Sequence, residues 1–109
     1  MSDLKQLATD YFATFSRKDL NGLADMFAES AALRDWTGSA QGKTDVLAAN
    51  KNIFDNVDTI TVTPLSLYED GNTVAAEIEV LINDVEKLLV VDVITFEGDK
   101  ITGVRAYKG

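Results

Sequence analysis

The chain contains no histidine and no cysteine. The first absence removes the commonest general base and the commonest metal ligand. The second excludes disulfides, thiolate nucleophiles and cysteine-ligated zinc, and it fits a reducing compartment. Any acid–base chemistry therefore has to run on Asp, Glu, Tyr or Lys. Basic clusters are also missing: 10 Lys and Arg stand against 18 Asp and Glu, a formal charge of −8. No run of cations could follow a phosphate backbone, so nucleic acid is not an expected partner. The only proline is Pro64, and there is no repeat, low-complexity tract or Pro/Gly/Ser linker. No apolar run approaches the about 20 residues that cross a bilayer, and Met1-Ser2-Asp3-Leu4-Lys5 lacks the segments of a signal peptide. The expectation is a cytoplasmic protein without a membrane partner.

What is present suits one small domain over residues 1–109, since 46% of the residues are hydrophobic and can form a core without disulfides. Leu4, Leu7, Ala8, Tyr11 and Phe15 recur at helical spacing, which predicts a helix from about residue 3 to 17 with Ser2 as cap and Tyr11 on the buried face. A short second helix follows Asp19, with Leu20, Leu23 and Phe27 on one side. Ala31 to Thr37 has the pattern of a short strand and Gly38 to Lys43 that of a loop. Thr44 can cap a third helix that carries Val46, Leu47, Ile53 and Phe54 to about Asn56. The second half is strands: Thr59 to Thr63, the alternating run Val74 to Ile82, Leu88 to Phe96, and Ile101 to Tyr107, separated by turns at Asp70-Gly71, Asn83-Asp84 and Gly98-Asp99. Helices followed by a meandering antiparallel sheet make an α+β pattern in which the helices cover one face. Glu77 and Glu79, at alternating positions, mark a solvated face.

Asp92 breaks this pattern. It lies within Leu88-Leu89-Val90-Val91-Asp92-Val93-Ile94-Thr95-Phe96, the most apolar stretch of the chain. Ionised and unpaired there, a carboxylate costs several kcal/mol, so Asp92 must find a partner, stay protonated, or face a cavity holding something polar. Because both faces of this strand are apolar, it should be central and covered twice, by helices on one side and by a second subunit on the other.

The segments Tyr11-Phe12-Ala13-Thr14-Phe15-Ser16-Arg17-Lys18-Asp19-Leu20-Asn21-Gly22-Leu23 and Met26-Phe27-Ala28-Glu29 resemble the opening of ketosteroid isomerases and SnoaL-like polyketide cyclases. Ala31-Ala32-Leu33-Arg34-Asp35 resembles the strand that follows, and Val91-Asp92-Val93-Ile94-Thr95-Phe96 with Val104-Arg105-Ala106-Tyr107 resembles the last two strands. The resemblance covers nearly the whole chain. It implies the nuclear-transport-factor-2-like, or cystatin-like, cone: three helices from the N-terminal half packed on a strongly curved antiparallel sheet around an interior pocket. It also implies roles. Tyr11 matches the tyrosine that donates to the substrate oxyanion, Asp35 the general base, and Asp92 the carboxylic acid held protonated in an apolar site so that it can donate beside the tyrosine. Removing a proton next to a carbonyl creates an enolate, which needs a base on one side and donors at the oxygen. No metal and no organic cofactor is implied.

The chain departs from that pattern at several positions. Trp36 replaces the proline after the base, Asn50 replaces the third-helix tyrosine that supports the oxyanion-hole tyrosine, and Phe27 offers no hydroxyl. The middle sheet is shorter, and the chain ends at Gly109 just past the last strand. These departures imply a ligand smaller than a steroid, small and hydrophobic, with Phe15, Phe27, Trp36, Phe54, Val90 and Ile94 as candidate pocket walls. Tyr11, Asp35, Asp92 and the phenylalanines also have structural readings: Tyr11 as a core tyrosine, Asp35 as a strand terminator, Asp92 as a buried acid satisfied by a tyrosine or backbone group, and Phe15, Phe27 and Phe54 as core. Arg105 suits either the mouth of a cone or an acid on a neighbouring strand. Two function classes stand side by side, a ketosteroid isomerase-like or cyclase-like enzyme and a non-catalytic ligand-binding or dimerisation module, with a homodimer expected in either. An epoxide hydrolase is less supported because Arg34 merely adjoins Asp35. A two-carboxylate glycosidase is less supported because so short a chain offers little groove for a sugar polymer.

Overall fold

Asp3, Asp19 and Gly42 introduce the three helices of the computed structural model, which describes residues 3–109. The Asp3 side chain accepts from the Gln6 backbone N–H and caps α1 (Leu4–Ser16); the expected cap, Ser2, lies outside the described residues. Asp19 caps α2 (Leu20–Met26) through the Gly22 N–H, as its position predicts. α3 (Lys43–Asp55) is entered through Gly42 and not through a Thr44 cap: Gly42 sits at φ 89°, open to a residue without Cβ, and no side chain caps the helix. Lys18 joins these elements. Its ammonium donates to the carbonyls of Phe54, Val57 and Asp58 at 2.5–3.0 Å and so fastens the α1–α2 turn to the end of α3.

Phe27 ends α2 and begins β1 (Phe27–Arg34), earlier than Ala31. Its spacing from Leu23 fits a helix, but its backbone is already extended at φ −88°, ψ 137°. The segment expected as loop contains a short strand, β2 (Ser39–Gln41), paired antiparallel with β1. β3 (Ile60–Asp70), β4 (Thr73–Ile82), β5 (Glu86–Glu97) and β6 (Lys100–Lys108) then follow one another through the turns that the sequence marks. The strand order is β2-β1-β6-β5-β4-β3. β1 runs parallel to β6, so the sheet is mixed and not purely antiparallel. A parallel pair needs a long crossover, and α3 with β3, β4 and β5 supplies it.

The side chains of Leu88, Val90, Asp92, Ile94 and Phe96 share the inner face of β5, toward the helices, where Phe12, Leu23 and Ile101 complete the core. Leu33 of β1 and Ile60 of β3, separated in the sheet by three strands, line the same cavity, so the sheet curls around it. The outer face of β5 is uncovered within the chain: Leu89 is 56% exposed and Val91 37%. Within one chain the helices thus cover the inner face of β5, and its outer face is the one assigned to a second subunit.

Candidate functional site

Between α1, α3 and the inner face of the sheet lies a mostly apolar cavity of about 260 Å³. Tyr11, Asp35 and Asp92 all line it. They come from three distant stretches of sequence, and each is held there for a different local reason.

Tyr11 sits on the buried face of α1, 4% exposed, with Phe12, Phe15 and Phe27 around its ring at centroid distances of 5.6, 6.3 and 6.0 Å. Those contacts fix the ring and leave its hydroxyl without a protein partner among the described residues. Burial first, and the nearby Asp92 carboxylate second, push its pKa far above the ordinary tyrosine value. Tyr11 is thus a neutral donor at any working pH.

Asp92 is flanked across both ladders by alanines, Ala76 on β4 and Ala106 on β6. Small neighbours on either side leave room above the carboxyl, and Ala106 forms part of the cavity wall. The carboxyl makes no hydrogen bond to the protein among the described residues. Burial, and then the charge of Asp35, raise its pKa to about 7. Of the three options open to a carboxylate in so apolar a run, Asp92 combines two: it faces a cavity, and it holds its proton far longer than an ordinary aspartate.

Asp35 follows directly on β1. Its Oδ1 accepts from the Thr37 N–H at 2.8 Å, the Thr37 hydroxyl at 2.7 Å and the Gly38 N–H at 3.0 Å. The strand-ending reading of this residue is therefore correct for one oxygen. Oδ2 has no protein donor among the described residues and is free to act on a ligand.

Of the expected walls, Phe15, Trp36 and Val90 line the cavity. Phe27, Phe54 and Ile94 do not: Phe27 braces Tyr11, Phe54 packs edge-on against Phe15 at 4.9 Å, and Ile94 is fully buried in the core. Trp36 and Thr37 are exposed lining residues and mark the mouth, where the Lys108 ammonium stands 5.9 Å from the Trp36 ring centroid. Leu88 shares the inner face of β5 with Asp92, whereas Val104 and Ala106 join it only through the pairing of β6 with β5, which strand alternation does not give. Asn50 is buried in the wall; the signal for this is its i, i+4 spacing from Val46 and to Phe54, which its polar side chain obscures.

Arg34 and Arg105 are adjacent in the β1–β6 register and lie on the outer face, away from the cavity. Arg34 donates to the Tyr107 hydroxyl at 3.2 Å. Arg105 neither lines the mouth nor pairs with an acid among the described residues. Glu77 and Glu79 are on the same outer face, with Lys87 3.3 Å from Glu79. Among the described residues no helix is long and apolar enough to cross a membrane, and no group of three potential ligating side chains forms a metal site.

Solved structures share this fold at low sequence identity. An NTF2-like protein of unknown function from Cytophaga hutchinsonii has a TM-score of 0.84 at 12% identity, with 100% of this chain and 92% of that one covered. A candidate ketosteroid isomerase from Kribbella flavida gives 0.83 at 22% identity, covering 95% and 76%. A hypothetical protein with a ketosteroid isomerase-like fold from Catenulispora acidiphila, in complex with trimethylamine, gives 0.82 at 18%, covering 93% and 83%. No curated protein matches the chain. The SnoaL-like domain pattern, however, matches residues 8–104, which contain Tyr11, Asp35 and Asp92, and the chain belongs to the SnoaL-like domain family.

Proposed function

We propose that the protein is a ketosteroid isomerase-like enzyme that moves a proton next to the carbonyl of a small, mostly apolar substrate. The observation that carries this reading is the meeting of Tyr11, Asp35 and Asp92 in one cavity. In the proposed reaction Asp35 Oδ2 removes a proton from the carbon beside the carbonyl. The Tyr11 hydroxyl and the neutral Asp92 carboxyl donate to the oxygen on which negative charge grows, and Asp35 returns the proton to a second carbon. With a pKa of about 7, Asp92 is substantially protonated at neutral pH. Apolar walls, including Phe15, Trp36 and Val90, keep water from competing for both donors. The steps use neither metal nor organic cofactor. A cavity of about 260 Å³ lies below the roughly 300–1,000 Å³ of sites for drug-sized ligands, which favours a substrate of one or two rings over a steroid.

The test is isomerisation of a β,γ-unsaturated ketone such as cyclohex-3-enone to its conjugated isomer. The wild type is expected to accelerate it, and Asp35→Asn to lose about 100-fold or more, the usual contribution of a positioned base. Tyr11→Phe should lose about as much through the missing oxyanion donor. Equal rates for wild type and Asp35→Asn would remove Asp35 as the base.

A second reading, that the fold serves as a dimerisation module, draws on the outer face and is compatible with the first. Leu89 and Val91 of β5 and Tyr107 of β6 form an exposed apolar strip. Glu77 and Glu79 border it on β4, and Arg105 and Arg34 border it on the other side. A two-fold rotation about the centre of such a strip sets acid against base, so the surface is complementary to a copy of itself.

A further inference from the structure

Val46, Asn50 and Phe54 form the buried stripe of α3, four residues apart. Val46 and Phe54 are apolar core, and Asn50 alone brings polar atoms. It is 2% exposed, it lines the cavity, and its Nδ2, sealed from solvent, has no hydrogen-bond partner, the only fully sealed side-chain N or O so left among the described residues. Stripping an amide nitrogen of water without giving it a partner is costly, and an apolar residue of the same size would avoid that cost. Nor does Asn50 take over the role of the tyrosine whose place it holds, because its nitrogen makes no bond to Tyr11. The amide is left with donors and a cavity beside them.

We infer that Asn50 is a ligand-binding residue, and that the substrate carries, besides its reacting carbonyl, a second acceptor oxygen that receives the Asn50 amide N–H. This rests on the proton-transfer reading and narrows it. Tyr11 and Asp92 approach the reacting oxygen from α1 and β5, whereas Asn50 projects from a third element, α3. A hydrocarbon ketone satisfies the first pair and leaves Asn50 unpaired. A compact ketone that also bears an ether, hydroxyl or second carbonyl satisfies all three. Asn50 then selects among substrates as buried polar groups generally do, by penalising the analogue that lacks the matching atom.

The probes are 1-tetralone, with one oxygen, and its ring-methoxy isomers, each with a second oxygen that can only accept. Binding is read from the fluorescence of Trp36, the single tryptophan, which stands at the cavity mouth. At least one methoxy isomer should bind the wild type about 3- to 10-fold more tightly than 1-tetralone, the size of one neutral hydrogen bond, and Asn50→Leu should abolish that gain. A gain retained in Asn50→Leu, or no gain with any isomer, overturns the inference. Tyr11→Phe separates this failure from that of the underlying reading: it should weaken all probes alike, and if it weakens none the oxyanion site itself is wrong and the inference falls with it. Where Asn50→Leu does not fold, the side-chain ¹⁵N–¹H₂ signal of Asn50 in the wild type reports the same contact. It should move with the tight-binding methoxy isomer and not with 1-tetralone, and an identical response to both counts against the contact.

Discussion

Asp92 holds its proton in the folded protein up to about neutral pH, and that has a consequence for stability against pH. In the unfolded chain the group titrates near 3.9, whereas in the fold it is raised to about 7. Between those values the native state holds a proton that the unfolded state has lost. Stability from this group is therefore greatest at low pH and falls as pH rises from about 4 to 7, by on the order of a few kcal/mol. Asp92→Asn keeps the shape and cannot ionise. Thermal melts at several pH values from 4 to 8 should show the variant gaining steadily on the wild type, with the smallest gap near pH 4 and the largest at pH 8. A gap that does not grow with pH would mean that Asp92 is not desolvated as described. Ala106, beside Asp92 in the cavity wall, accounts for part of that cavity, and with Ala76 across the other ladder it leaves the strand tolerant of an acid, since bulkier neighbours would crowd the carboxyl.

At the scale of elements, the placing of Tyr11 depends on how α1 is anchored. Lys18 reaches the carbonyl of Phe54 in the last turn of α3 and those of Val57 and Asp58 just beyond the helix, where a cation also complements the helix dipole. Lys18→Met removes three charge-assisted hydrogen bonds and should cost about 1.5–3 kcal/mol, seen as a melting point lower by several degrees. An unchanged melting point would mean that the α1–α2 turn is held by packing alone. Most elements were legible in the sequence because their signals are local: the heptad-like spacing from Leu4 to Phe15, the Asp19 cap, and the glycine turns at 71 and 98. What local patterns could not carry was the partner of each element. β2 is only Ser39 to Gln41 and exists because it pairs with β1, and the parallel register of β1 with β6 joins residues some seventy positions apart. Phe27, Phe54 and Asn50 show the same limit at the site. Helical spacing marked Phe27 and Phe54 as apolar, but only packing decides that they brace Tyr11 and Phe15 from behind while Asn50 stands in the wall.

The molecule as a whole presents two contrasting surfaces, a curled inner face around the cavity and an outer face with an uncovered apolar strip. If the strip joins two copies, Leu89→Lys, which places a charge in it, should halve the mass measured by light scattering from that of two chains to that of one, while each chain keeps its fold because Leu89 is more than half exposed in its own chain. A wild type that is already monomeric contradicts the proposed interface. The inner face makes a stronger demand, because Tyr11, Asp35 and Asp92 come from opposite ends of the chain and act together only if the whole fold brings them within reach of one another. That convergence is measured most directly by carbon-detected NMR titration of the Asp92 carboxyl in the wild type and in Asp35→Asn. The account predicts a midpoint near 7 in the wild type and a lower one once the charge of Asp35 is removed; a midpoint near the ordinary aspartate value in both would contradict it.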